Sequence, residues 1–240
     1  MINTFRKRER EKMIDNKKLI CIVLARGGSK GLKDKNIHPI NGNSLISYTL
    51  EHCLNSKYID KVVVSTDCPK IKEESIKYCE VIDRPDEISQ DNSPSEEALI
   101  HAINNLKEEY DFIVCPQITH PARRIGLIDM CIEKCIKGNF DSLLTVKSFS
   151  PFFLHINDDN KIYFNDKTQI INRKMRQDFN KSELFYYDMG NLYISKVKEL
   201  LRRKDRIGIN PTIFELKEEE CIDIHTKTDI QKITFFAENK

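Results

Sequence analysis

The stretch Arg26-Gly27-Gly28-Ser29-Lys30-Gly31-Leu32-Lys33-Asp34-Lys35-Asn36 gathers the residue types that an anionic ligand needs. Glycines let backbone N–H groups approach a phosphate closely, and Arg26, Lys30 and Lys35 supply positive charge. The spacing is neither the GxxxxGK[ST] phosphate loop nor the GxGxxG dinucleotide turn. What separates it from an ordinary solvated basic loop is the segment before it. Leu19–Ala25 (LICIVLA) is a continuous apolar run, as a strand covered on both faces should be. Ligands of open α/β sheets lie outside the carboxyl ends of the strands, which is where this turn begins. The expected chemistry is the binding of a phosphorylated ligand, and a triphosphate would use all three cations.

The elements that must position this turn follow from an alternation of β-rich and helical stretches. Ser44–Asn55 sets Leu45, Tyr48, Thr49 and Cys53 at helical spacing, with Ser44 as the N-cap. Lys61–Thr66 (KVVVST) reads as a buried strand, and Pro69–Cys79 as a helix opening on a proline that a first turn tolerates. Ser95–Tyr110 begins Ser-Glu-Glu, acids suited to a helix N-terminus. Phe112–Ile118, Gly126–Lys137 and Ser142–Phe149 continue as strand, helix and strand. Strands separated by helices require crossover connections, so the pattern predicts an α/β fold with a mainly parallel sheet flanked by helices. From about residue 149 to 187 the alternation fails. PFFLHI, KIYF and the polar NRKMRQDFNKSE predict short antiparallel strands in a small protruding lobe. Gly190–Ser195, Val197–Arg203, Pro211–Leu216 and Thr226–Glu238 then resume as strand, helix, strand and amphipathic helix.

Composition narrows the function classes. The chain has 240 residues, 40% of them apolar and 32% charged, which suits one domain over 19–240 behind a basic, solvated segment at 1–18. That segment carries seven Lys/Arg against three Asp/Glu, yet the whole chain is only +2, too balanced for a nucleic-acid coat. The longest apolar run is Leu19–Ala25, far short of the roughly 20 residues that span a bilayer, so no membrane partner is expected. The eight cysteines are scattered, without CxxC or zinc-finger spacing, and no secretory leader precedes them; a reduced, cytoplasmic protein is expected. Cys131 and Cys135, four apart on a helix, read as small core residues rather than a metal pair.

The run Ala-Arg-Gly-Gly-Ser-Lys-Gly-x-x-x-Lys-Asn at Ala25–Asn36 resembles the signature of the acylneuraminate cytidylyltransferases, which make CMP-activated sialic acids and related sugar acids. Further elements similar to that family follow in order: Val64-Ser65-Thr66-Asp67, Arg84-Pro85 followed by Ser95, Gln117-x-Thr119-x-Pro121-x-Arg123, Arg176-Gln177, Gly190-x-x-Tyr193-Ile194 and Ile222-Asp223-Ile224. The resemblance spans about residues 18–238. It implies a Rossmann-like nucleotidyltransferase fold, a homodimer built through the lobe at about 149–187, and a cytoplasmic enzyme. The implied reaction moves CMP from CTP to the anomeric hydroxyl of a 2-keto-3-deoxy sugar acid, a nonulosonic acid of sialic, legionaminic or pseudaminic type, and releases pyrophosphate. On the same resemblance Ala25, Arg26, Gly27, Gly28, Ser29, Lys30, Asn36, Arg84 and Ser95 hold the nucleotide. Arg26, Lys30, Lys35 and Asp223 serve catalysis, while Gln117, Arg176, Gln177 and Tyr187 face the sugar acid, Arg176 gripping its carboxylate. Arg84 also reads as an exposed partner of Asp83 or Asp86, and Arg123 and Arg124 read equally as solvated strand-end charges or as substrate contacts.

Two departures from the family pattern matter. Where the family has I-D-I-D, this chain has Ile222-Asp223-Ile224-His225. Two such residues on an extended segment share a face. A carboxylate suits Mg²⁺, whereas an imidazole suits Mn²⁺ or another transition metal. Asp223 then acts with water and phosphate ligands beside His225, or the metal is softer, or catalysis is impaired; Asp67 and Asp229 are further carboxylates near these motifs, Asp229 reading first as an acid in the opening turn of the last helix. The second departure lies on the sugar side. Ser150-Pro151-Phe152-Phe153 and Tyr187-Asp188-Met189-Gly190 stand where the family often has H-P-x-K and R-P-N-G, and Ile118 and His120 alter the Gln117 segment. Phe152, Phe153 and Tyr187 read either as core of the small lobe, the commoner fate of aromatics, or as pocket lining, and in the second case the acceptor is more apolar than sialic acid, such as legionaminic or pseudaminic acid. The competing functions are a nucleotidyltransferase of the same fold using another NTP or a sugar phosphate, and a catalytically silent nucleotide-binding subunit.

Overall fold

The computed structural model describes residues 14–29, 31–150, 154–164 and 175–238. Strand β1 (Leu19–Leu24) lies near the middle of a seven-stranded sheet and shows why the run is apolar throughout. Alternate residues face opposite sides of a strand. Leu19, Cys21 and Val23 enter one hydrophobic core, and Ile20 and Ile22 enter another on the reverse face. Around β1 are β4 (Lys61–Thr66), β5 (Glu80–Asp83), β6 (Phe112–Pro116), β7 (Ser142–Phe149), β10 (Phe185–Lys196) and β11 (Pro211–Glu215). Their order is β11-β7-β10-β6-β1-β4-β5. Helices α1 (Leu45–Leu54), α2 (Pro69–Ser75), α4 (Leu127–Lys137) and α6 (Lys227–Glu238) contribute to the first core, whereas α3 (Ser95–Asn104) and α5 (Val197–Arg203) cover the second. Two short ladders complete the fold, β2 (Pro39–Ile40) with β3 (Asn43–Ser44) and β8 (Leu154–Ile156) with β9 (Ile162–Phe164). Among the described residues no helix is long and apolar enough to cross a membrane.

The alternation read from the sequence is therefore realised, with three adjustments. Glu80–Asp83 forms an edge strand that the pattern of two acids around Val81-Ile82 does not announce. Ser44 precedes α1, but its hydroxyl donates to Glu74 at 2.8 Å instead of capping the helix. The strand expected at Gly190–Ser195 is the inner half of β10, whose outer half, from Phe185, pairs with the far end of β7. Because β10 enters from the lobe side, it runs antiparallel to both β6 and β7, and every other ladder of the sheet is parallel. The two halves of its pairing with β7 are separated by a register shift between Asp188 and Tyr193. Asp188 organises this irregularity, accepting from Gly190 N–H and from the Tyr193 hydroxyl, each at 2.9 Å.

Arg123 seals the seam between β6 and β10. It is 5% exposed and donates through Nε to Asn191 Oδ1 (2.7 Å), through Nη1 to Thr49 Oγ1 (3.0 Å) and through Nη2 to the carbonyls of Asn191 and Gln117. Burial lowers its pKa to about 10. It is neither a solvated charge nor a residue of the clefts described below. Its neighbour Arg124 pairs with Glu220, itself 1% exposed. Cys131 and Cys135 are fully buried in α4, as small core residues. Removing the Arg123 guanidinium strands several buried acceptors, each costing about 1–3 kcal/mol. Arg123→Met is expected to lower unfolding free energy by about 3 kcal/mol or more, read from urea midpoints at unchanged m-value.

Candidate active site

The turn after β1 is pinned on several sides. Gly27 N–H donates to Asp67 Oδ1 at 2.8 Å, just past the end of β4. Asn36 Nδ2 donates to the Arg26 carbonyl at 2.9 Å, so this amide closes the turn on itself. Lys35 Nζ reaches the Ile224 carbonyl at 3.3 Å, tying the turn to the segment that carries Asp223 and His225. That segment is fixed in its own right by Ile224 N–H donating to the Thr119 carbonyl at 2.9 Å. Two glycines are needed for stated reasons. Gly28 has φ +67°, and a Cβ on Gly27 would stand 3.2 Å from Cys68 Cβ and 3.3 Å from Asp67 Oδ2.

Two adjoining clefts, of about 260 and 250 Å³, open beside this turn and share Leu24, Arg26 and Gln117. Arg84, Ser95 and the 88–94 loop line the first; Ser29, Gly31, Lys35, Asn36, Thr119 and His225 line the second. Arg84 is 7% exposed and donates to Ser65, through Nε to the hydroxyl (3.1 Å) and Nη2 to the carbonyl (2.6 Å). It is thus no exposed partner of Asp83, which pairs with Lys72, and it faces the cleft from a fixed position. Burial lowers the Arg84 pKa, with Asp67 opposing and Arg26 adding to the shift. Burial likewise lowers that of Lys35, with Asp223 opposing and Arg26 adding. Arg26 thus acts on a cation in each of the paired clefts.

Asp223 and His225 are joined, His225 Nε2 to Asp223 Oδ2 at 2.7 Å. Asp223 Oδ1 is buried without a hydrogen-bond partner, as is His120 Nε2. Burial pushes the His120 pKa down to about 4, Asp223 opposing, so this imidazole is neutral near pH 7. Asp229 instead serves the backbone, accepting from the N–H groups of His225 (3.1 Å) and Thr226 (2.9 Å). Among the described residues, no three His, Cys, Asp or Glu side chains stand together so as to hold a metal ion.

The structure thus brings Arg26, Ser29, Lys35, Asn36, Arg84, Ser95, Gln117 and His225 to the clefts, with Ala25, Gly27 and Gly28 in the backbone that shapes them and Asp223 beside them. Lys30, Phe152 and Phe153 lie outside the described residues, as does the Arg176 side chain. Gln177 and Tyr187 line neither cleft; both are exposed, Tyr187 on the outer half of β10. Asp91 is the residue sequence reasoning missed. It meets Arg26 at 2.7 Å in the first cleft, and no pattern in an otherwise polar loop marks it.

A mainly parallel sheet with a glycine-and-cation turn at a strand end is the architecture of a Rossmann-like nucleotidyltransferase. A solved CMP:2-keto-3-deoxy-manno-octonic acid synthetase, complexed with CTP, shares the fold at TM-score 0.64 and 14% identity, covering 92% of this chain and 99% of its own. Residues 20–238 match the family model for cytidylyltransferases, and the chain belongs to that family of enzymes. The pseudaminic acid cytidylyltransferase of Campylobacter jejuni subsp. jejuni serotype O:2 is 31% identical over 222 residues, 89% of this chain and 94% of its own. The CMP-N,N'-diacetyllegionaminic acid synthase of the same bacterium is 28% identical over 232 residues, covering 92% and 96%. Since Gly28 alone adopts the left-handed conformation within the described part of the Ala25–Gly31 turn, Gly28→Ala should cost about 1 kcal/mol in urea unfolding, and Gly28→Asn less.

Proposed function

We propose that this protein transfers CMP from CTP to the anomeric hydroxyl of a nonulosonic acid and releases pyrophosphate. The observation that carries the reading is the convergence of Arg26, Lys35 and Arg84 on two joined clefts at the carboxyl ends of β1 and β6. The first cleft, with Arg84 and Ser95, would take cytosine and ribose. The second, with Ser29, Lys35 and Asn36, would take the phosphates, leaving Gln117, between the two, near the reacting centre. Attack of the sugar hydroxyl on the α-phosphorus forms the new P–O bond as the bond to pyrophosphate breaks. Arg26 and Lys35 would offset the charge that gathers on the leaving group.

A divalent cation fits the donor set. Mg²⁺ characteristically takes one or two carboxylates and fills its sphere with water and substrate phosphates, and Asp223 offers a buried oxygen without a partner. Asp223 would hold the ion, which when bound neutralises phosphate charge, and His225 would stand beside it and admit Mn²⁺ as well. The acceptor we favour is of pseudaminic or legionaminic type. The similarity to enzymes named for those sugars supports it. Gln177, Tyr187 and Arg176 belong to the lobe, and a role for them at the sugar requires the lobe to meet a site across a dimer axis.

A homodimer is supported by the apolar side chains the lobe leaves exposed, among them Ile156 (60%), Phe185 (44%) and Tyr187 (64%). Light scattering at micromolar concentration should give twice the chain mass, and a monomer would refute the dimer. Pyrophosphate release should occur with CTP, Mg²⁺ and pseudaminic or legionaminic acid, and much more slowly with ATP or GTP; no release with any pair, despite CTP binding, leaves a silent nucleotide-binding subunit. His225 now occupies Asp223 Oδ2, so His225→Asp should raise Mg²⁺-supported turnover several-fold.

A further inference from the structure

Arg26 is the residue common to both clefts that carries a full charge, and its guanidinium is already engaged. Arg26 Nη1 lies 2.7 Å from Asp91 Oδ1, and Asp91 itself lines the first cleft. The loop that presents this carboxylate is stiffened from within. Ser89 Oγ donates to the Pro85 carbonyl (2.9 Å), Gln90 Nε2 to the Asp86 carbonyl (2.7 Å), and Gln90 N–H to Ser93 Oγ (3.1 Å). Asp91 thus sits on a loop braced by its neighbours, from which its carboxylate reaches Arg26. The pair is still partly hydrated, with side-chain exposures of 36% and 43%, and such pairs are weak. A carboxylate so placed holds, from the first cleft, the guanidinium that a phosphate in the second cleft would have to recruit.

We infer that Asp91 is a tethered anion that competes with the outer phosphates of the nucleotide for Arg26. This rests on the nucleotide assignment made above and deepens it. The polyphosphate wins because it brings several charges to Arg26, Ser29 and Lys35 at once, against a single carboxylate. When pyrophosphate leaves, Asp91 returns to Arg26 and lowers the barrier to release. Asp91 thus weakens ground-state binding in exchange for turnover, and it acts only on ligands whose phosphates extend to the turn.

The test measures dissociation constants for CTP, CMP and inorganic pyrophosphate by titration calorimetry, on the wild type, Asp91→Asn, Arg26→Ala and the double variant. Asp91→Asn should bind CTP and pyrophosphate tighter by about three- to tenfold, with CMP changed by less than about twofold. Asp91→Glu, which keeps the charge, should stay near wild type, and in the Arg26→Ala background the tightening from Asp91→Asn should shrink at least threefold. Unchanged or weaker binding of CTP and pyrophosphate by Asp91→Asn would overturn the inference. So would equal tightening of CMP, or a gain undiminished by Arg26→Ala. If the wild type fails to bind CTP at all, the nucleotide assignment falls, while the pyrophosphate arm still decides the competition at Arg26.

Discussion

Positive charge that has lost part of its water governs the carboxyl edge of this sheet. Burial makes the charged forms of Arg84 and Lys35 less favourable than in solution, and Arg26 adds to the shift in both. The protein nonetheless keeps all three at neighbouring clefts and anchors Arg84 through Ser65. Asp67, Asp91 and Asp223 each lend part of the compensating charge, but none is given over to it wholly. Asp67 also accepts a backbone N–H, Asp91 is half in water, and Asp223 keeps one oxygen without a partner. A ligand with several negative charges on a short chain relieves this arrangement better than any neutral molecule can.

The framework around the clefts separates an arginine spent inside the fold from one that faces a cleft by the same physics. Arg123 and Arg84 are both nearly inaccessible, yet Arg123 spends its guanidinium on Asn191, Thr49 and Gln117, whereas Arg84 is held from one side only and leaves a face to the cleft. Asn191 repeats the theme, accepting from Arg123 and donating through Nδ2 to the Glu220 carbonyl at 3.0 Å. The segment leading to Asp223 is thereby locked to the same seam as Gln117.

What could be read from residues alone was whatever is local. LICIVLA announces a covered strand, and the glycines and cations after it announce a turn at the strand's carboxyl end, because both signals lie within a few residues of one another. Glu80–Asp83 escaped because an edge strand of four residues with acids at its ends has no apolar run to betray it. The burial of Arg84 escaped because it depends on Ser65, nineteen positions away on β4. Asp91 escaped altogether, since nothing in its loop marks a partner on another strand end. The full reach of β10 was hidden for a different reason. Phe-Tyr-Tyr-Asp-Met shows no two-residue alternation, and its strand geometry comes from pairing with β7.

The continuity of β10 has a mechanical corollary. One unbroken backbone carries Tyr187 at its distal end and Asn191 at the Arg123 seam, so the lobe is a cantilever built into the sheet instead of a bead on a string. Between that tip and the wall that holds Gln117, the ladder with β7 is interrupted at the step between Asp188 and Tyr193. Recombining this lobe with that of a related enzyme would consequently succeed only if the splice falls inside that step, where the hydrogen-bond ladder is already interrupted.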